Sequence, residues 1–252
     1  MPEPVPSPAP RDPVWSGWDV LQIAGLSIVA IIVFAFVLVV AAQKLFYPTL
    51  SFTQVGTYPL ISVVAQGLAY LLVFAFMDTL VKRQTAQPFW QAVHWNWPTN
   101  WMPFLLGGVV LSVALQGVAH LLPIPKELPM DRFFQTPGEA WALSLFGVTF
   151  APLFEEMFFR GFLYPVLVRR LGVTAAVVLT AMGFGLIHAP QLAHAWGPVL
   201  LIFLVGLALT ITRAMTNSVA PGFLMHVAYN GTISVLIFAG TSGFRHLERM
   251  NQ

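Results

Sequence analysis

Long apolar runs, broken by short polar stretches, dominate the chain. They cover Val20–Ala42, Thr57–Leu80, Trp101–Leu122, Trp141–Val168, Val173–Ala189, Pro198–Thr212 and Val219–Ala239. A helix crosses the hydrocarbon core of a bilayer with about 20 apolar residues. Helices suit that environment because each backbone N–H and C=O finds its partner within the segment. Four or five of the runs meet the length comfortably. Val173–Ala189 and Pro198–Thr212 fall short and are expected to tilt, re-enter or extend beyond these ends. The pattern predicts an all-α, polytopic transmembrane helical bundle of about seven spans, with an eighth left open.

Composition strengthens that reading. The chain is 57% hydrophobic and 9% charged, against about 25% charged in an ordinary soluble domain. The first 15 residues, "MPEPVPSPAPRDPVW", are Pro-rich and predict a disordered lead-in. Residues 16–240 then form the transmembrane domain, and 241–252 a short polar tail. The first apolar run is too long for a signal-peptide core and no small-residue cleavage site follows it, so it is expected to remain as a span. The chain has no cysteine, which excludes disulfides, thiolate metal sites and a cysteine nucleophile. A net charge of +2, scattered along the chain, argues against nucleic acid as a partner. No internal repeat is evident, so the inverted-repeat signature of many transporters is missing.

Charge also bears on orientation. With seven spans, Arg11, Lys82, Arg83, Arg169, Arg170 and Arg213 gather on the amino-terminal side. Lys44, Lys126, Arg132, Arg245 and Arg249 gather on the other. The adjacent pairs Lys82–Arg83 and Arg169–Arg170 favour the first side as cytoplasmic, in a multi-pass protein of the plasma membrane. The tryptophan-rich segment "PFWQAVHWNWPTNW", residues 88–101, reads as an interfacial aromatic belt.

A few polar residues interrupt the apolar runs. Asp78 and His120 lie near run ends, where water or headgroups reach them. Glu155, Glu156 and Arg160 do not. If Trp141–Val168 is one helix, Glu155 falls about 20 Å from either end. A charge at that depth costs at least ~2.5–3.5 kcal/mol, so it must face protein or a wet cavity and find a partner. Glu156 and Arg160 are spaced i,i+4 with the acid first, the favourable order for an ion pair on one helix face. Glu155 is rotated by about 100° from its neighbour and cannot share that arginine equally. One carboxylate is therefore paired and the other left over, as a general base requires. Pro152 lacks a backbone N–H and is expected to kink the helix just before the acids.

Two later runs add partners at the same spacing. "MGFGLIHAP" places Phe184 and His188 on one face, and "GFLMHVAYNG" places His226 and Asn230 on another. A single histidine in a helix is usually a packed core residue. Two histidines, an asparagine and an acid pair on three spans are satisfied together by converging on one wet cavity. That inventory suits activating a water, with no acyl-enzyme. Glu155 and His188 would orient and deprotonate it, and His226 and Asn230 would donate to the developing oxyanion. The reaction class is amide hydrolysis within the membrane. An alternative from the same groups is zinc, ligated by Glu155, His188 and His226 with water in the open position.

The motifs EExxxR (Glu155, Glu156, Arg160), FxxxH (Phe184, His188) and HxxxN (His226, Asn230) occur in that order on successive helices within residues 141–239. In this the chain resembles the CAAX prenyl protease and bacteriocin-processing family of intramembrane endopeptidases, often called Abi proteins. The resemblance implies that Glu155 and His188 position the catalytic water and that His226 and Asn230 form the oxyanion site. It gives Glu156 and Arg160 a supporting role. Relatives remove the terminal tripeptide from prenylated CAAX proteins, or act in bacteriocin maturation, self-immunity or regulated proteolysis. The family is commonly labelled a metalloprotease, although its chemistry also fits a glutamate-dependent water mechanism. The implied partners are the lipid bilayer and a membrane-anchored peptide or protein substrate. Two other readings use the same residues: a non-catalytic binding or immunity protein of that family, and a proton-coupled transporter, since membrane Glu and His also relay protons.

Overall fold

The computed structural model describes residues 14–125, 128–129, 131 and 134–248. Most of the Pro-rich lead-in, together with Arg11, Lys126, Arg132 and Arg249, lies outside the described residues. Those described form helices only: α1 (Gly17–Leu45), α2 (Phe52–Gly56), α3 (Pro59–Gln84), α4 (Phe89–Ala92), α5 (Met102–Ala119), α6 (Pro137–Val148), α7 (Phe150–Glu156), a π-helix (Met157–Leu163), α8 (Tyr164–Leu171), α9 (Val173–Ile187), α10 (Trp196–Thr216) and α11 (Ala220–Gly240). A short 3-10 turn, Pro190–Leu192, joins α9 to α10. Six stretches are long and apolar enough to cross a membrane: α1, α3, α5, the composite Pro137–Leu171, α10 and α11. α9 is a shorter apolar helix and supplies the seventh element. The run read as Pro198–Thr212 is longer than its hydropathy suggested, because Trp196, Gly197 and the turn through Thr216 join a helix of 21 residues.

Local chemistry sets the ends. α1 opens on a capping box in which Asp19 N donates to Ser16 Oγ and Ser16 N donates to the Asp19 carboxylate. This satisfies two of the donors that a helix start leaves free. α3 and α5 each begin with a proline in the first turn, where its missing N–H costs nothing. Gly172, at φ +79°, turns the chain between α8 and α9, a backbone region that glycine enters without strain.

The fourth apolar run is not one helix. α6 stops at Thr149, whose φ of −117° and ψ of −70° depart from regular helix. Pro152 explains the stop: it has no N–H for the carbonyl four residues back, and its ring crowds that turn. Pro165 does the same further on. Tyr164 N donates to Phe159 O, five residues back, and the chain winds as a π-helix across Met157–Leu163.

Close helix contacts bring the later elements together. A Cβ on Gly108 of α5 would collide with the Met225 carbonyl and the Ala228 side chain of α11. A Cβ on Gly206 of α10 would sit 3.1 Å from Ala181 Cα of α9. Small residues let backbones approach in this way within membranes. The aromatic segment folds over the start of α11: Val219 N donates to His94 O, and Ser218 Oγ donates to Asn96 O. Trp90, Trp97 and Trp101 remain exposed, while Trp95 turns in against Phe223 with ring centroids 5.3 Å apart. At the other end of the sequence order, Trp15 is buried, with its ring 4.6 Å from that of Phe162.

Candidate active site

Three elements supply the polar groups: the last turn of α7 with the π-helix, the end of α9, and the first half of α11. Glu156 and Arg160 are fully buried. Arg160 Nη1 donates to Glu156 Oε1 at 2.8 Å, Nε to Thr210 Oγ1 at 3.2 Å, and Nη2 to Gly206 O at 3.0 Å. Its guanidinium carbon also lies 4.6 Å from the centroid of the Phe184 ring, within range of a cation–π contact. A charge in the bundle centre is thus matched on every side that the structure records.

His226 joins the same carboxylate, with Nδ1 3.0 Å from Glu156 Oε1. That oxygen accepts, so Nδ1 is assigned the proton and Nε2 keeps its lone pair in the neutral ring. The other oxygen, Glu156 Oε2, has no hydrogen-bond partner among the described residues. It lies against Gly222, where a Cβ would stand 2.9 Å away.

His188 is the residue that closes α9, and its Nδ1 is 2.7 Å from Phe184 O. A carbonyl only accepts, so this ring too is assigned the Nδ1–H tautomer with Nε2 free. Both Nε2 atoms face Glu155. His188 Nε2 lies 3.8 Å from Glu155 Oε1, and His226 Nε2 lies 3.7 Å from Glu155 Oε2. These distances exceed those of a direct hydrogen bond. The Glu155 and His188 side chains are 14% and 15% exposed, so this edge of the cluster is the one a ligand can reach.

The spans therefore bring Glu155, Glu156, Arg160, Phe184, His188 and His226 into one cluster. Asn230 is tied to a different element. One turn beyond His226 on α11, its Nδ2 donates to Gly147 O at 2.7 Å, which ties it to the end of α6. The donor types suit zinc, yet among the described residues no group of three His, Asp or Glu is arranged to hold a metal ion.

Some neighbours of the site carry no sequence motif. Thr210 and Gly206 of α10 hold the Arg160 side chain, as above. Arg213, counted by charge as a loop residue of the amino-terminal side, is 3% exposed and donates from Nε to Arg160 O at 3.2 Å. A helical position at i+3 from Thr210 was the available signal. On α3, Tyr70 stacks on Phe154 at a centroid distance of 3.9 Å and accepts from Gln66 Nε2 at 2.8 Å.

The protein is a multi-pass membrane bundle whose converging acid and imidazoles lie inside its helices. Comparison with protein families gives the class. Residues 137–232 match the family described as type II CAAX prenyl endopeptidase Rce1-like. That stretch runs from the start of α6 into α11 and contains every motif residue named above. Over that stretch the chain is similar to the CAAX-type intramembrane proteases. No curated protein and no solved structure matches the chain.

Proposed function

We propose that the protein is an endopeptidase that hydrolyses a peptide bond of a membrane-anchored, prenylated CAAX-type substrate with an activated water. One observation carries the reading. A carboxylate and two imidazole nitrogens, each from a different helix, face one another at 3.7–3.8 Å. Separations just beyond direct contact are those that a shared water bridges. Glu155 Oε1, Glu155 Oε2 and His188 Nε2 are acceptors in the proposed step, so the cluster can hold a water by its hydrogens and take one of them.

In the proposed step, Glu155 accepts a proton from the water as its oxygen bonds to the scissile carbonyl carbon, with His188 fixing the water's orientation. Negative charge moves to the carbonyl oxygen. His226 takes a proton from solvent at Nε2 before the attack, presents that N–H to the oxyanion and keeps it throughout, with Glu156 balancing the imidazolium from the other side. Asn230, which gives one N–H to Gly147 O, is proposed to offer its second N–H to the same oxygen. The proton held by Glu155 then passes to the departing amine as the C–N bond breaks. Arg160 keeps Glu156 in place and takes no proton.

The test is a cleavage assay with purified protein in detergent. Its substrates are a prenylated CAAX-type peptide and a panel of unprenylated membrane-anchored peptides. Cleavage that prefers the prenylated peptide and disappears in Glu155→Ala supports the reading. Binding of the peptide with no cleavage by wild type would instead indicate a non-catalytic member of the family.

A further inference from the structure

The π-helix leaves one backbone carbonyl without a helical donor. In a regular α-helix Arg160 O would accept from residue 164, but Tyr164 N is given to Phe159 O. In π winding Arg160 O would accept from residue 165, and that residue is Pro165, which has no N–H. Both helical routes are closed, and a buried carbonyl left unpaired is costly within a membrane. Arg213 fills the position from another helix, with Nε donating to Arg160 O at 3.2 Å. Its own placement is fixed: Nη1 donates to Asn217 Oδ1 at 2.9 Å, and its guanidinium lies over the Tyr164 ring at 5.6 Å.

The same face of α10 holds the side chain of Arg160. Thr210 Oγ1 donates to Gly206 O at 2.7 Å and accepts from Arg160 Nε at 3.2 Å, while Gly206 O also accepts from Arg160 Nη2 at 3.0 Å. One helix thus grips Arg160 by backbone and side chain together. Arg160 in turn holds Glu156, and Glu156 holds His226.

We propose that Arg213 is a positioning residue of the site: by giving Arg160 O the hydrogen bond that Pro165 denies it, Arg213 fixes the π register that aims Arg160, Glu156 and His226. The proposal rests on the catalytic reading above for its kinetic consequence, but not for its structural one. π-helical turns often mark functional sites; here a proline and a distant arginine together account for the turn. Neither residue belongs to the three motifs.

The experiment compares Arg213→Met, Arg213→Lys and the double variant Arg213→Met with Pro165→Ala. Cleavage kinetics are read on the prenylated CAAX-type peptide, and the imidazole nitrogens of His226 by NMR on 15N-histidine-labelled protein. Arg213→Met is expected to lower kcat by about 10²-fold, the scale of a small misplacement of catalytic groups, with KM nearly unchanged. The His226 Nδ1 resonance is expected to move with it. Arg213→Lys keeps a donor and is expected to lose less. Pro165→Ala supplies an N–H at residue 165, so the double variant is expected to regain most of the kcat and the wild-type His226 resonance. If Arg213→Met does not fold, Arg213→Lys and the double variant carry the comparison. Wild-type kcat with an unmoved resonance in Arg213→Met overturns the proposal, and so does a loss that Pro165→Ala fails to restore. Glu155→Ala, run alongside, reports on the catalytic reading by itself: full cleavage by that variant refutes the base while the resonance still decides the role of Arg213.

Discussion

His226 Nδ1 lies 3.0 Å from Glu156 Oε1, across 70 positions of sequence and between two helices. The contact gives the second acid of the pair a definite task. Glu156 is held by Arg160 on one side and orients the imidazole on the other, which turns His226 Nε2 toward Glu155. The two adjacent carboxylates thereby separate into a buried one held through Oε1 and a more accessible one with no direct partner among the described residues. The difference underlies the predictions that follow.

Glu155→Ala should abolish cleavage and leave folding intact, since Glu155 makes no direct hydrogen bond among the described residues that holds the bundle. Peptide cleavage in detergent and a thermal unfolding curve check both halves. Wild-type turnover by the variant would exclude Glu155 as the base.

Arg160→Ala should cost stability as well as activity. Removing one partner of a buried ion pair strands the other charge, at about 3–5 kcal/mol. Glu156→Gln together with Arg160→Gln should recover part of that loss, because no lone charge remains. The comparison is one of unfolding midpoints among wild type, the single variant and the double. A single variant that melts like wild type would mean the pair contributes nothing.

Activity should persist after exhaustive washing with a chelator, with zinc well below one equivalent by elemental analysis. The expectation follows from the proposed step, in which Glu155 and His188 activate the water directly. Stoichiometric zinc that tracks activity and disappears in His188→Ala would reverse it.

Gly108→Ala should destabilise the bundle by about 1–3 kcal/mol, as overpacking does, and should also lower activity. Its new methyl would collide with the Met225 carbonyl and Ala228 and push α5 off the helix that carries His226. Gly107→Ala is the control, because its Cβ would meet only the flexible end of Met225 at 3.7 Å. Equal melting temperatures for the two variants would show that the close approach of α5 and α11 is not needed.

Much of this was legible in the residues. Apolar runs announced the spans, because a bilayer demands about 20 such residues per crossing. The i,i+4 spacing of Glu156 and Arg160 put them on one face, and they pair there at 2.8 Å. Phe184 and His188 share a face for the same reason, and the ring nitrogen of one meets the carbonyl of the other. The break at Thr149 was half visible: Pro152 forecast a kink, but not that the chain would pass into a π-helix. That outcome needed Pro165 and a distant donor as well.

Arg213 shows where reading by residue type fails. Charge near the end of an apolar run looks like a positive flank, and nothing local distinguishes a flank from a buried donor. For Asn230 only the contact outside its own helix was not legible: one of its N–H groups is given to Gly147 O.

The sequence by itself determined what is local. It set which segments are apolar enough to cross, where prolines interrupt them, and which polar side chains share a helix face, because each of these depends on neighbours within about one turn. Only the tertiary structure decided what meets across helices: Glu155 between two imidazoles, Glu156 shared by Arg160 and His226, and Arg213 on the Arg160 carbonyl. Those contacts depend on how closely α5 approaches α11 and α9 approaches α10. That closeness is set by whole helices packing against one another, with each glycine contact satisfied simultaneously, and no stretch of sequence contains it.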